Sequence, residues 1–193
     1  MFLDIKIVVK IREGVVSFTA FIEKHKGTIL KLWLNSFWER FGEAAAFFKK
    51  EIDQFTNPFA YHIEESFRGL VEALGEEFSW DKIDPYLDKL AQIRAVQEVT
   101  PSTACLFFLD LKKILREHYG EKIIEDFGVR PFLELEDKIN SFILRFIDFY
   151  QRYRERLYEI RLEEWKRANY LLLKRAGLIG EFESQNLFEN KKH

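Results

Sequence analysis

Apolar positions recur along this chain with two periods. Over residues 4–12, Ile5, Ile7, Val9 and Ile11 alternate with Asp4, Lys6, Lys10 and Arg12, which is the period of a strand. No other segment offers an alternating partner. The segment is therefore expected to pair with its own copy in a dimer or to serve as a frayed or helical leader, 1–14. From Val15 the period becomes helical. Val15, Phe18, Phe21 and Ile22 lead into Ile29, Leu30, Trp33, Phe37 and Phe41, with Gly42 as the expected C-cap and Gly27 as a candidate divide between two helices. Ala44 to Lys50 reads as a short helix.

Three further helix starts share one form, Asn57-Pro58, Asp84-Pro85 and Thr100-Pro101. In each, a side-chain oxygen can accept a free N–H of the first turn. Proline follows at a position that needs no N–H. Gly75 and Gly120 mark the expected ends of the helices that begin at Pro58 and Pro101. The last helix is the longest, because neither Pro nor Gly interrupts Phe132 to Ala176 before Gly177. Ile139, Ile143, Phe146, Tyr150, Tyr153, Leu157 and Ile160 follow a 4-3-4-3 spacing within it, a heptad-type seam. Unbroken, such a helix is about 65 Å long, whereas a compact domain of this size is only roughly 30 Å across. It is thus expected either to kink or to project and bury its stripe against a second chain. Residues 180–193 read as a loose tail. The fold class is all-α, with a short N-terminal strand as the one extended element.

Composition sharpens this picture in three places. Twenty Phe supply large apolar surfaces without a polar handle, enough for an aromatic core and for a partner surface or ligand cavity. The net charge of −2 gives no global case for nucleic-acid binding, although Glu39 to Asp81 is acidic and Arg152 to Arg175 is net basic. The single cysteine, Cys105, excludes a disulfide within the chain and fits a reducing compartment. No apolar run reaches the ~18 residues that span a bilayer, and Asp4, Lys6 and Lys10 interrupt any signal-peptide core. A cytoplasmic protein is expected.

Catalytic signatures are missing: the chain has no GxGxxG, Walker loop, GxSxG, CxxC or HExxH. A di-iron centre on a helical bundle needs Glu-x-x-His pairs. The residues three before His25, His62 and His118 are Ile22, Phe59 and Leu115, so no metal site is expected. Haem needs an imidazole facing an apolar cavity, and His62 and His118 are its candidates. Their ordinary explanation is a surface or capping role. Glu64-Glu65 and Glu76-Glu77 are helix neighbours that do not face each other, which fits solvated charge. Arg94 and Gln97 share a side of the helix begun at Pro85, among Leu90, Ile93 and Val96. Together they can hold an anionic small molecule or a partner carboxylate. The competing reading is an internal hydrogen bond from Arg94 to a carbonyl or acid.

The segments ILKLWLNSF (29–37), FFKKEIDQFTNPF (47–59), LDKLAQIRAVQEVTPSTA (87–104), LKKILREHY (111–119) and RERLYEIRLEEWKRANYLLLKRAGLI (154–179) resemble, in order and spacing, the N-terminal domain family of the RsbT co-antagonist protein RsbRD. The resemblance covers residues 15–179. It implies a globin-like helical sensor domain without haem or other cofactor, dimeric, and placed ahead of a STAS domain that a serine/threonine kinase phosphorylates. Within these residues the tail after Gly177 leaves no room for a STAS domain. The expectation is a non-enzymatic sensor or adaptor acting as a homodimer, with a protein partner and a small-molecule signal. Trp33, Phe37 and the seam from Ile139 to Ile160 would form its packing and dimer surface, and Arg94 and Gln97 its receiving site. The rival is a haem- or small-ligand-binding sensor on the same fold.

Overall fold

The computed structural model describes residues 8–11, 14–40 and 55–177. These form a two-stranded hairpin and five helices: β1 Val8–Ile11, β2 Gly14–Ser17, α1 Phe18–Glu39, α2 Pro58–Gly75, α3 Trp80–Ala95, α4 Pro101–Phe127 and α5 Val129–Arg175. The fold is all-α, with a long C-terminal helix. The chain divides into two compact units, Met1–Tyr153 and Arg154–His193, and α5 contains the boundary. The expected short helix at 44–50 and the Gly42 cap lie outside the described residues.

The N-terminal strand finds its partner within the chain. β1 and β2 pair antiparallel in the register Val8↔Ser17, Val9↔Val16, Lys10↔Val15 and Ile11↔Gly14. This corrects the expectation of a partner copy or a helical leader, and it moves the helical start from Val15 to Phe18. Two adjacent β-branched residues, Val15 and Val16, favour the extended form. Ser17 then caps α1, its Oγ accepting the Ala20 N–H at 3.1 Å. Gly27 does not divide α1, because Ile22, Ile29, Trp33 and Phe37 need one continuous helix to reach one core.

Two of the three Pro-type starts stand where the residues place them. Asn57 Oδ1 accepts the Ala60 N–H at 3.1 Å ahead of Pro58, and Thr100 Oγ1 accepts the Thr103 N–H at 3.3 Å ahead of Pro101. Asp84-Pro85 is different. Helix α3 begins at Trp80 and carries Pro85 inside it. Asp84 is engaged elsewhere, accepting a forked pair of hydrogen bonds from Arg145 of α5 at 2.9 and 2.5 Å. The same guanidinium lies over the Trp80 ring, and Ile83 is fully buried. These contacts hold the extra first turn despite the N–H that Pro85 lacks. Likewise α4 continues through Gly120 to Phe127, because Leu115, Tyr119, Ile123 and Phe127 keep one buried face at i+4 spacing. It stops at Gly128, whose φ of 89° suits a residue without Cβ.

The core of the first unit is aromatic. Trp33, Phe37, Phe67, Phe107, Phe108 and Phe146 are each at most 1% exposed. The Trp33 and Phe67 ring centroids lie 3.9 Å apart, Phe107 and Phe108 4.2 Å, and Phe107 and Phe146 5.4 Å with an edge-on geometry. The Trp33 indole N–H donates to the Phe107 carbonyl at 2.6 Å, which satisfies the one polar atom the cluster contains. α2 and α3 approach closely at Gly69, where a Cβ would stand 2.3 Å from the Tyr86 ring. Lys138 of α5 closes the C-terminal end of α2 by donating to the Leu74 and Glu76 carbonyls at 3.2 and 2.8 Å. Burial pulls its ammonium below the usual lysine value, and Glu134 opposes that.

From the Ile139–Ile160 seam, Ile139, Phe146 and Tyr150 are buried in this first unit, and Ile143 and Tyr153 are half-buried. Leu135, Phe142 and Phe149 join them on the inward face. In the second unit, Leu157 is half-buried and Ile160 is exposed. If the Trp33 contacts organise this core, Trp33→Ala should lower unfolding free energy by about 3–5 kcal/mol. Trp33→Phe, which loses chiefly the hydrogen bond and ring area, should cost about 1–2 kcal/mol. Urea titration followed by circular dichroism separates the two. Equal costs for both variants would show that the indole N–H carries the whole effect.

Candidate functional site

Arg94 closes the buried face of α3, only 7% exposed. One of its terminal nitrogens, Nη1, donates to Gln97 Oε1. The other, Nη2, donates to the Thr103 carbonyl at 3.3 Å, so the side chain ties the end of α3 to the first turn of α4. Its guanidinium also stands 6.0 Å from the centre of the Phe37 ring. Burial lowers the Arg94 pKa from its ordinary value; Tyr150 opposes this, and the nearby charge of Arg40 adds to it.

Arg94 and Gln97 open onto a cavity of about 490 Å³, lined also by Arg40, Val99 and Thr103. Arg40, which follows α1, is held by a two-pronged ion pair. Its Nε and Nη2 donate to the Asp110 carboxylate at 2.6–2.9 Å. The wall between α3 and α4 is fixed from two directions. Glu98 adopts φ 56°, a left-handed backbone uncommon for residues with a Cβ. The Val99 carbonyl accepts a hydrogen bond from the Tyr150 hydroxyl of α5. Residues with such backbones persist only where their surroundings hold them.

Both expected site residues therefore lie together in a cavity, and the internal hydrogen bond weighed as the competing reading is present as well. Sequence reasoning missed Arg40, Val99, Thr103 and the backbone of Glu98. Arg40 comes from a segment more than fifty residues upstream of Arg94, and its pairing with Asp110 leaves no local pattern. Gln97-Glu98 contains no Gly or Asn that would signal a left-handed turn.

The haem candidates lie elsewhere. His62 is half-buried, its Nδ1 3.4 Å from Glu65 Oε2, and His118 is exposed. No histidine is among the described residues lining the cavity. Among the described residues no three His, Cys, Asp or Glu side chains gather as a metal site. Cys105 is buried, with its Sγ 3.2 Å from the Ser102 carbonyl, and burial pushes its thiol pKa up, away from reactivity.

A third histidine shows a different environment. His25 packs between the Phe21 and Tyr119 rings at 4.7 and 5.0 Å. Its Nε2 is buried without a hydrogen-bond partner among the described residues.

The architecture defines an all-α domain ending in a long helix, with a cationic cavity between its third and fourth helices. The family model for the RsbT co-antagonist protein rsbRD N-terminal domain matches residues 28–165, and the chain belongs to that family. Membership points to a regulatory or sensor domain of the stressosome type. No curated protein and no solved structure matches the chain. Among the described residues no helix is long and apolar enough to cross a membrane.

Removing the guanidinium in Arg94→Met should cost about 1–3 kcal/mol, because it leaves a buried carbonyl and an amide oxygen short of a donor. Urea unfolding measures it. Burial, with Lys122 and Lys24 nearby, lowers the His25 pKa in the fold. The unfolded chain therefore binds this proton first, and stability should fall as pH drops through about 6.5. His25→Phe should flatten that part of the profile when urea midpoints at pH 7.5 and 5.5 are compared, and an unchanged slope would assign it to other groups.

Proposed function

We propose that this domain regulates by docking rather than by catalysis, as a homodimeric sensor or adaptor that meets its partners through helix faces. The observation that carries the reading lies in the second unit. Tyr158, Leu162, Trp165 and Leu172 are 56%, 51%, 64% and 62% exposed on α5. With Asn169 between the last two, they repeat at 4-3-4-3. This is the seam of a two-chain coiled coil, out of phase with the stripe that the first unit buries. An exposed row of large apolar side chains at this spacing on one helix marks an interaction surface. Asn169 falls at a seam position where a single polar side chain selects one register and a low oligomer number. In the isolated chain its amide donates to the Trp165 carbonyl at 2.8 Å.

The basic surplus of Arg152 to Arg175 flanks this row and supplies charge for a protein partner with an acidic face. Support for a non-catalytic role comes from the ionisable groups. Three of the ion pairs in the first unit join separate segments, Arg40 to Asp110, Arg145 to Asp84 and Arg116 to Glu136, and others, such as Arg68 to Glu64, lie along one helix.

Sedimentation velocity at micromolar concentration should show a dimer. Trp165→Glu combined with Leu172→Glu should shift it to monomer, at least tenfold in dissociation constant, while the helical circular dichroism of the first unit persists. Wild-type protein that sediments only as monomer would remove the homodimer, and a dimer untouched by the double substitution would move the interface off this row.

A further inference from the structure

We propose that the exposed row on α5 pairs with the same row of a second copy running in the opposite direction. The inference rests on the docking reading above and adds the direction and register of the interface.

Charge beside the row chooses both. With Tyr158, Trp165 and Leu172 at the d positions of a heptad and Leu162 and Asn169 at a, the e positions fall on Glu159 and Lys166. The g positions fall on Arg154, Arg161, Ala168 and Arg175. Side chains at e and g set the orientation of such a pair. Glu159 and Lys166 are exposed, and neither has an ion pair or hydrogen bond among the described residues. In an antiparallel pair e meets e. Glu159 then faces the partner's Lys166, and two-fold symmetry makes the same contact twice. Sliding the pair by one heptad sets Lys166 on the partner's Lys166, or Glu159 on the partner's Glu159.

A parallel pair, in which g meets the following e, sets Arg161 on the partner's Lys166. Its attractive contact, Arg154 to the partner's Glu159, draws on a guanidinium that is already engaged. Arg154 donates to the Tyr158 hydroxyl at 2.7 Å and lies over that ring at 4.8 Å. The like pair that the antiparallel arrangement keeps, Arg154 against the partner's Arg175, lies at its solvated ends.

The polar atoms of the seam agree with this register. Leu162 packs on the partner's Trp165, and Tyr158 lies opposite the partner's Asn169. The Tyr158 oxygen accepts from Arg154, which leaves its hydrogen to donate. The Asn169 amide nitrogen donates to the Trp165 carbonyl at 2.8 Å, which leaves Oδ1 to accept. Each side chain offers what the other lacks. The two chains enter the seam from opposite ends, which makes the dimer a bridge rather than a fork.

Sedimentation equilibrium of the full chain reads the charges. Lys166→Glu and Glu159→Lys should each weaken the dimer at least about fivefold, and the two together should return it to within about threefold of wild type. A parallel dimer responds to Lys166→Glu with the opposite sign, because the substituted side chain then faces the partner's Arg161. A nitroxide on Lys174→Cys, in a Cys105→Ala background, reads direction. The two labels should stand about 30 Å apart along the seam, whereas parallel helices bring them within about 20 Å. Wild-type protein that stays monomeric would remove the docking reading and this inference together. A dimer that Lys166→Glu tightens, that the double substitution fails to restore, or whose labels lie within about 20 Å would overturn the direction alone and leave the docking reading standing.

Discussion

The indole of Trp33 has to lie against Phe67 and Phe107 while its N–H reaches the Phe107 carbonyl. That requirement fixes the rotation and height of α1 against α4. An apolar ring slides over its neighbours at little cost, but an unsatisfied N–H in a dry core costs about 1–3 kcal/mol. The bond therefore turns a tolerant aromatic stack into a unique one. Phe37, one turn further along α1, is set by the same rotation. It lies edge-on to Phe67 and Phe107 and within range of the Arg94 guanidinium. The placement of the cavity follows from the packing of the core.

Around that core, arginines join helices at their polar margins. Arg145 is the clearest case. Its forked pair with Asp84 connects α5 to the first turns of α3, and its face lies over Trp80 and Phe149 at 5.5 and 4.9 Å. A lysine could supply the charge but neither the fork nor the flat surface. Such partly exposed pairs stabilise by only about 1 kcal/mol or less each. Their larger contribution is to register, since each fork accepts only one relative position of two helices. Arg94 differs, because it is buried and donates to an amide oxygen and a carbonyl.

The parts of the fold legible from sequence are those decided within a few residues. Thr100-Pro101 and Asn57-Pro58 cap helices because capping is a local event between a side chain and the next turn. Asp84-Pro85 has the same local form and does not start a helix, because Arg145, sixty residues on, takes the carboxylate that would have capped. Gly27 and Gly120 look like stops, yet the apolar face on either side of each continues in phase. A glycine costs a helix about 1 kcal/mol, less than burying Trp33 or Ile123 returns. The same distinction divides the candidate site. Arg94 and Gln97 are visible at i, i+3 on one helix, whereas Arg40, Asp110 and the Glu98 backbone come together only through tertiary packing.

The cavity is also mechanically connected. Its Val99 wall is tied to Tyr150 of α5, and one turn later Tyr153 donates to Asp88 of α3 at 2.9 Å. Two consecutive turns of α5 thus grip the helix that carries Arg94 and the connection that follows it. Any displacement of Val99 outward would have to break the Tyr150 hydrogen bond or carry α5 with it. Breaking a buried hydrogen bond costs about 1–3 kcal/mol, while a small rigid shift of a packed helix has no comparable obligatory cost. The cheaper way to displace Val99 is therefore movement of α5 at Tyr150 and Tyr153, so the cavity wall and the helix position at the end of this unit are linked by the same hydrogen bond.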